Sequence, residues 1–155
     1  MLNFQGSGFL IDLPEGSADA SSYTFVLPSE GDFTAYVTIK SERLRDPLEL
    51  KEYVDKAQAT LKESVEKYVV SQHASGKRKG MDVVLTTVEW GADESRICQK
   101  IAYFLVQDEK GSKVFTLTGS DLVSGINKSG PMFDEIFKSF TPNATQRIEP
   151  GMKPG

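Results

Sequence analysis

The chain begins with short runs in which apolar and polar residues alternate. Phe9, Ile11 and Leu13 form the first, and Pro14-Glu15-Gly16 stops it. A two-residue period is that of a strand, whose successive side chains point to opposite faces. Two longer runs, at residues 21–27 and 33–41, flank Pro-Ser-Glu-Gly-Asp and predict a hairpin, with Pro28 and Gly31 supplying the turn chemistry. One face of that hairpin carries Tyr23, Phe25, Leu27, Phe33, Ala35, Val37 and Ile39, and reads as core. The other carries Ser22, Thr24, Val26, Thr34, Tyr36, Thr38 and Lys40.

The period then lengthens. Asp46-Pro47-Leu48-Glu49 offers an N-cap carboxylate, a proline for the first helical position and a glutamate two residues on, in the manner of a capping box. Leu50, Tyr53, Val54, Ala57, Leu61 and Val65 recur at helical spacing, so the helix is expected to run to about Glu66. Alternation returns in four runs: Tyr68–Ala74, Met81–Trp90, Ile97–Gln107 and Lys113–Thr118. The links between them, Ser75–Gly80, Gly91–Glu94 and Asp108–Gly111, are short enough for antiparallel hairpins. A second helix is predicted over Pro131–Ser139, capped by Ser129 or Gly130, with Phe133, Ile136, Phe137 and Phe140 on its apolar side. This order predicts an α+β fold: a mainly antiparallel sheet of about six to seven strands covered by two helices. Residues 1–140 read as a single domain. Residues 141–155 show no periodicity and read as a flexible tail.

Composition narrows the class. A chain of 155 residues with 39% hydrophobic and 26% charged residues suits one globular domain. Its net charge of −4 argues against a general binder of nucleic acid or anionic membranes. The dense basic cluster, Lys77-Arg78-Lys79, sits beside Gly80 and reads as a solvated turn. A single cysteine, Cys98, excludes an intrachain disulfide and fits a reducing compartment. The N-terminus lacks the pattern of a signal peptide or lipid anchor, and no apolar run reaches the roughly 20 residues that cross a bilayer. A cytoplasmic protein without a direct membrane anchor is expected.

Candidate chemistry is sparse. His73 is the lone histidine, without the neighbours that a metal site needs. A Cys98–His73 pair across strands would lack an evident third group to orient it, and Cys98 reads as a small packing residue. Trp90, at a strand end beside Gly91, reads as core packing in preference to the alternative, an anchor for a partner. Gly6-Ser7-Gly8 precedes a strand and is no phosphate loop. No catalytic residue, metal ligand or cofactor site is expected, and the protein is not expected to be an enzyme.

The succession of motifs resembles a known family. FLIDLPEG, SSYTFVLP and AYVTIKS, the helix with LELKEYV, the strands GMDVVLTTVEW and ICQKIAYFLV, and the ending VFTLTGS…PMFDEIFKSF follow the scheme of DcrB-related proteins from about Phe9 to Phe140. That resemblance implies a PsbP-like fold. It also implies a relation to the Eag-type chaperones of type VI secretion systems, which are cytoplasmic, non-catalytic and dimeric. Those adaptors shield the hydrophobic N-terminal transmembrane helices of an effector and help to load it onto the spike. By the same resemblance, Ser22, Thr24, Val26 and Thr38 would face the client, joined by Gln99 from a later strand. Eag-type members commonly have branched apolar residues at Ser22, Thr24 and Thr38, and a tryptophan at Ser17. A DcrB-like binding module with a different, non-effector protein partner is the alternative.

Overall fold

A computed structural model describes residues 2–5, 8–17, 22–28, 35–46 and 48–142. Predicted residues outside these ranges, among them Phe33, Thr34, Pro47 and the tail from Asn143, lie beyond the described part. The chain divides into two compact units, one comprising Met1–Ser21 with Thr141–Gly155 and the other Ser22–Phe140. In the first unit, β1 (Leu2–Gln5) and β2 (Leu10–Leu13) form an antiparallel hairpin, with Phe4 opposite Ile11. The sequence reading anticipated β2 and passed over β1, whose four residues LNFQ alternate too briefly to register.

The second unit contains the large sheet. Its strands are β3 (Ser22–Val26), β4 (Tyr36–Arg43), β5 (Val69–Arg78), β6 (Met81–Trp90), β7 (Ile97–Asp108) and β8 (Gly111–Leu122). They are antiparallel throughout, in the order β3-β4-β8-β7-β6-β5. The chain must therefore travel from β4 to the far edge, β5, past three intervening strands. Helix α1 (Leu50–Ser64) makes that passage. Fifteen residues of helix span about 22 Å, and four strand spacings come to about 19 Å, so the helix is long enough to bridge the gap.

Each face of the sheet has its own core. Under α1, Leu50 and Val54 pack with Val84, Val88, Ile101, Tyr103 and Val114. Against the other face lies α2 (Ile126–Ser139), whose Phe133 and Phe137 pack with Val37, Val83, Ala102, Phe104 and Leu117. Gly119 admits α2 closely: a Cβ built there would lie 2.4 Å from the Phe133 ring.

Several boundaries differ from expectation for physical reasons. Helix α1 begins at Leu50 with Glu49 at the N-cap and no side-chain capping bond, so Asp46 does not cap it. Helix α2 begins at Ile126, five residues before Pro131. Pro131 is exposed, so water reaches the helix carbonyl that the missing N–H leaves unbonded. Ser129 is not a cap; it is buried inside the helix, where its Oγ donates to Asp121 Oδ2 at 2.6 Å. The β5–β6 link is only Lys79-Gly80, both with positive φ (49° and 81°), as a two-residue hairpin turn of mirror-image type requires. Arg78 is consequently no solvated turn residue. Its guanidinium donates to the Phe137, Lys138 and Phe140 carbonyls at 2.5–2.7 Å and lies 5.6 Å from the Phe104 ring centroid.

Tyr23 and Phe25 also depart from the expected core. They share the α2-facing side with Ile39 and Val37, yet are 55% and 52% exposed. β3 is the sheet edge, and α2 packs on β7 and β8. Of that predicted face, Ala35 and Val37 are buried, while Leu27 and Ile39 pack at the cluster's margin.

Arg43 ties β4 to the β7–β8 turn through two guanidinium bonds to Asp108, at 2.9 and 2.6 Å. These bonds, assisted by the Lys110 N–H, hold the Asp108 carboxyl down at about 2. Its carboxylate therefore stabilises the fold fully above the unfolded-state value near 4, and the contribution disappears as pH falls towards about 2. Urea unfolding of the wild type and Asp108→Asn should differ most near neutral pH, with the difference shrinking through that acid window.

Candidate functional site

The two helices do not cover the sheet symmetrically. Helix α1 packs on β6 and β7, leaving the β3–β4 end of its face open. Directly opposed residues of antiparallel strands share a face, so the register fixes what that open area presents. Val26, Tyr36, Ser120 and Gln99 form one cross-strand row; Thr24, Thr38, Thr118 and Ile101 form the next; Ser22, Lys40, Thr116 and Tyr103 form a third. Ser22, Thr24, Val26, Thr38 and Gln99 thus all lie on one face. The last comes from β7, two strands beyond Thr38.

The rows grade from wet to dry. Val26 is 71% exposed, and Ser22 and Thr24 are exposed, while Tyr36, Thr38, Thr118 and Gln99 are half-buried. Ser120 is fully buried between Tyr36 and Gln99 in its row. Gln99 is held in place: its Oε1 accepts from Trp90 Nε1 and its Nε2 donates to Ser120 Oγ, both at 3.1 Å. An amide nitrogen carries two N–H groups, and Ser120 takes one. Trp90, half-buried against the α1 cluster, thereby fixes the amide at the inner margin of the open face.

The face is built of methyls and hydroxyls. A threonine row offers on each strand one branched methyl and one rotatable O–H, and Lys40 supplies the charge among the three rows. Such a surface can bury a partner's apolar side chains while answering small polar groups with hydrogen bonds. Thr118 and Ser120 escaped the sequence reading. The predicted run Lys113–Thr118 takes in Thr118 and stops short of Ser120, whereas β8 continues to Leu122, and only its pairing with β4 brings the two residues beside Thr38 and Tyr36.

Reactive side chains lie elsewhere. His73 faces the α1 side, with Nδ1 3.1 Å from Thr86 Oγ1. Cys98 faces the α2 side and is buried; burial pushes its thiol pKa up, and the negative charge of Glu89 adds to the rise. The two stand on opposite faces of the sheet and form no nucleophile–base pair. Among the described residues, no group of three or more His, Cys, Asp or Glu is placed to hold a metal ion, and no helix is long and apolar enough to cross a membrane.

An antiparallel sheet with one helix on each face defines an α+β protein of the PsbP type. The cyanobacterial PsbP (CyanoP) of Synechocystis shares this fold with a TM-score of 0.50, at 9% identity over 83% of this chain and 96% of that one. The chain belongs to the DcrB family, whose model matches residues 10–124. A protein of unknown function from Pseudomonas aeruginosa, PA94, superposes with a TM-score of 0.74, at 14% identity over 92% of this chain and 97% of that one. LpqN of Mycobacterium tuberculosis, involved in cell envelope biogenesis, gives a TM-score of 0.55 at 10% identity over 77% and 84% of the two chains. None of the curated proteins matches the chain.

Proposed function

We propose that this DcrB-family protein is a non-catalytic protein-binding adaptor. Its partner is an effector of a type VI secretion system, whose hydrophobic N-terminal helices it shields in the cytoplasm before loading onto the spike. It acts as a homodimer and without a cofactor. The observation that supports the reading is the open sheet face beside α1, where Ser22, Thr24, Val26, Thr38 and Gln99 lie together. An apolar helix in water gains about 25 cal/mol for each Å² it buries, and a sheet face bordered by a helix is a surface on which it can lie. The hydroxyls of Ser22, Thr24, Thr38 and Thr118 favour a second reading as well: a DcrB-like module for a different, less apolar protein segment.

Co-expression with the N-terminal region of an effector encoded beside it tests the proposal. The region should be soluble only in the presence of this protein. Thr24→Asp should reduce capture about tenfold or more, because the complex would bury an unpaired carboxylate that the free protein leaves in water. Its melting temperature should stay at the wild-type value, since Thr24 is exposed. An effector region equally soluble alone would overturn the chaperone reading; undiminished capture by Thr24→Asp would overturn the assigned face.

A further inference from the structure

On the opposite face, at the opposite end of the sheet, α2 leaves a cleft of about 690 Å³. It opens between α2 and the edge strand β5, and the sequence of β5 explains it. Of the β5 residues turned towards α2, Gln72, Ala74 and Gly76 stand opposite Thr87, Leu85 and Val83 of β6, between Val69 at one end and Arg78 at the other. Alanine and glycine stand where a core strand would carry large apolar side chains. A Cβ built on Gly76 meets nothing within 4 Å. Ala102 flanks Leu85 on its other side, and Leu85 is left 46% exposed in the second strand of the sheet. Phe104 and Phe137 complete the apolar wall.

The rim is cationic, although the chain as a whole carries a charge of −4. Of the four charged side chains that line the cleft, Arg78, Lys100 and Lys138 are positive and Asp134 is negative. Lys100 Nζ donates to Asp134 Oδ1 at 2.6 Å, which occupies one of its three N–H groups. The Lys138 side chain is 74% exposed, and its pairing with Glu135, at 3.5 Å and equally exposed, leaves its ammonium open to water. An apolar floor beneath a cationic rim selects for an apolar chain that ends in an anion. The volume falls within the range of small-ligand sites, about 300–1,000 Å³.

We propose that this cleft binds a single-chain amphipathic carboxylate, with the alkyl chain over Ala74, Leu85 and Phe137 and the carboxylate at Lys100. The site lies on the sheet face opposite Thr24 and does not depend on the adaptor reading. Isothermal titration with submicellar dodecanoate tests it directly. The wild type should bind, and dodecanol should bind at least about tenfold more weakly for want of the charge-assisted bond. Ala74→Trp should abolish binding by filling the cleft; the position is exposed, and an unchanged melting temperature would verify the fold. Lys100→Met should weaken dodecanoate about tenfold and leave dodecanol unaffected, while Thr24→Asp should bind dodecanoate like the wild type. Phosphatidylglycerol vesicles should not sediment the protein, which separates a free carboxylate from a lipid headgroup as the source of the anion. The proposal is overturned by no dodecanoate binding, by binding that Ala74→Trp leaves intact, by equal affinity for dodecanol, or by vesicle binding lost in Ala74→Trp.

Discussion

Phe133→Ala should lower the unfolding free energy by about 3–5 kcal/mol, the largest single effect expected in the sheet-bearing unit. The side chain is 0% exposed and sits at the centre of the cluster that joins α2 to the sheet. Its ring occupies the space above Gly119, which is why that strand position tolerates no side chain. Truncation at Phe133 therefore opens a cavity against backbone, where collapse is hard. The converse change makes the same point: Gly119→Ala would drive a methyl to 2.4 Å from the ring and should cost about 1–3 kcal/mol by overpacking. Phe133→Leu in the Gly119→Ala background should recover part of that loss, because a shorter side chain can draw back from the new methyl. Urea unfolding of the wild type, Phe133→Leu, Gly119→Ala and the double variant gives the coupling energy. Strict additivity would mean that the two residues do not share the contact.

Arg78→Ala should cost about 2–4 kcal/mol, with most of the loss at the C-terminal end of α2. The last carbonyls of a helix lack intrahelical partners and carry the negative end of its dipole. Arg78 donates to three carbonyls at this end, those of Phe137, Lys138 and Phe140, from the strand that ends at the β5–β6 turn; the first of them also accepts the Phe140 N–H. Its plane also lies over Phe104, whose ring packs at 4.6 Å from that of Phe140. Arg78→Lys keeps the charge but loses the fork that reaches several carbonyls at once, so it should restore only part of the stability. Amide exchange should accelerate at the end of α2 in both variants. Rates unchanged in Arg78→Ala would show that the helix end is held by Phe140 packing alone.

The periods in the sequence were enough for most of the elements, because each buried stripe repeats at its own spacing. Leu50–Val54–Ala57–Leu61 and the four later strands are of this kind. What they could not convey was anything decided by a neighbour distant in sequence. The exposure of Tyr23 and Phe25 follows from the edge position of β3, a matter of strand order. The polar end of β5, Ser75 to Arg78, looked like loop because an edge strand has little need of apolar residues. The early start of α2 was hidden by Pro131, which marks a helix start in most settings and here lies on an exposed flank. The candidate face had a similar fate. Ser22, Thr24, Val26 and Thr38 could be placed on one side of a hairpin, but Thr118 and Ser120 became neighbours only through the β4–β8 pairing. The cleft beside β5 left no positive signal, since what opens it there is the smallness of Ala74 opposite Leu85.

The β4–β8 pairing has a kinetic side. Strands β5 to β8 form a meander in which each partner is the next in sequence, whereas joining β4 to β8 closes a loop of roughly seventy residues. The entropy of that closure opposes the docking of β4, and β3, whose ladder partner is β4, can join the sheet only with it or after it. The strand carrying Ser22, Thr24 and Val26, at the edge, should thus be among the last to arrive in the sheet and the first to depart. A partner that fastens onto it would also fasten the fold.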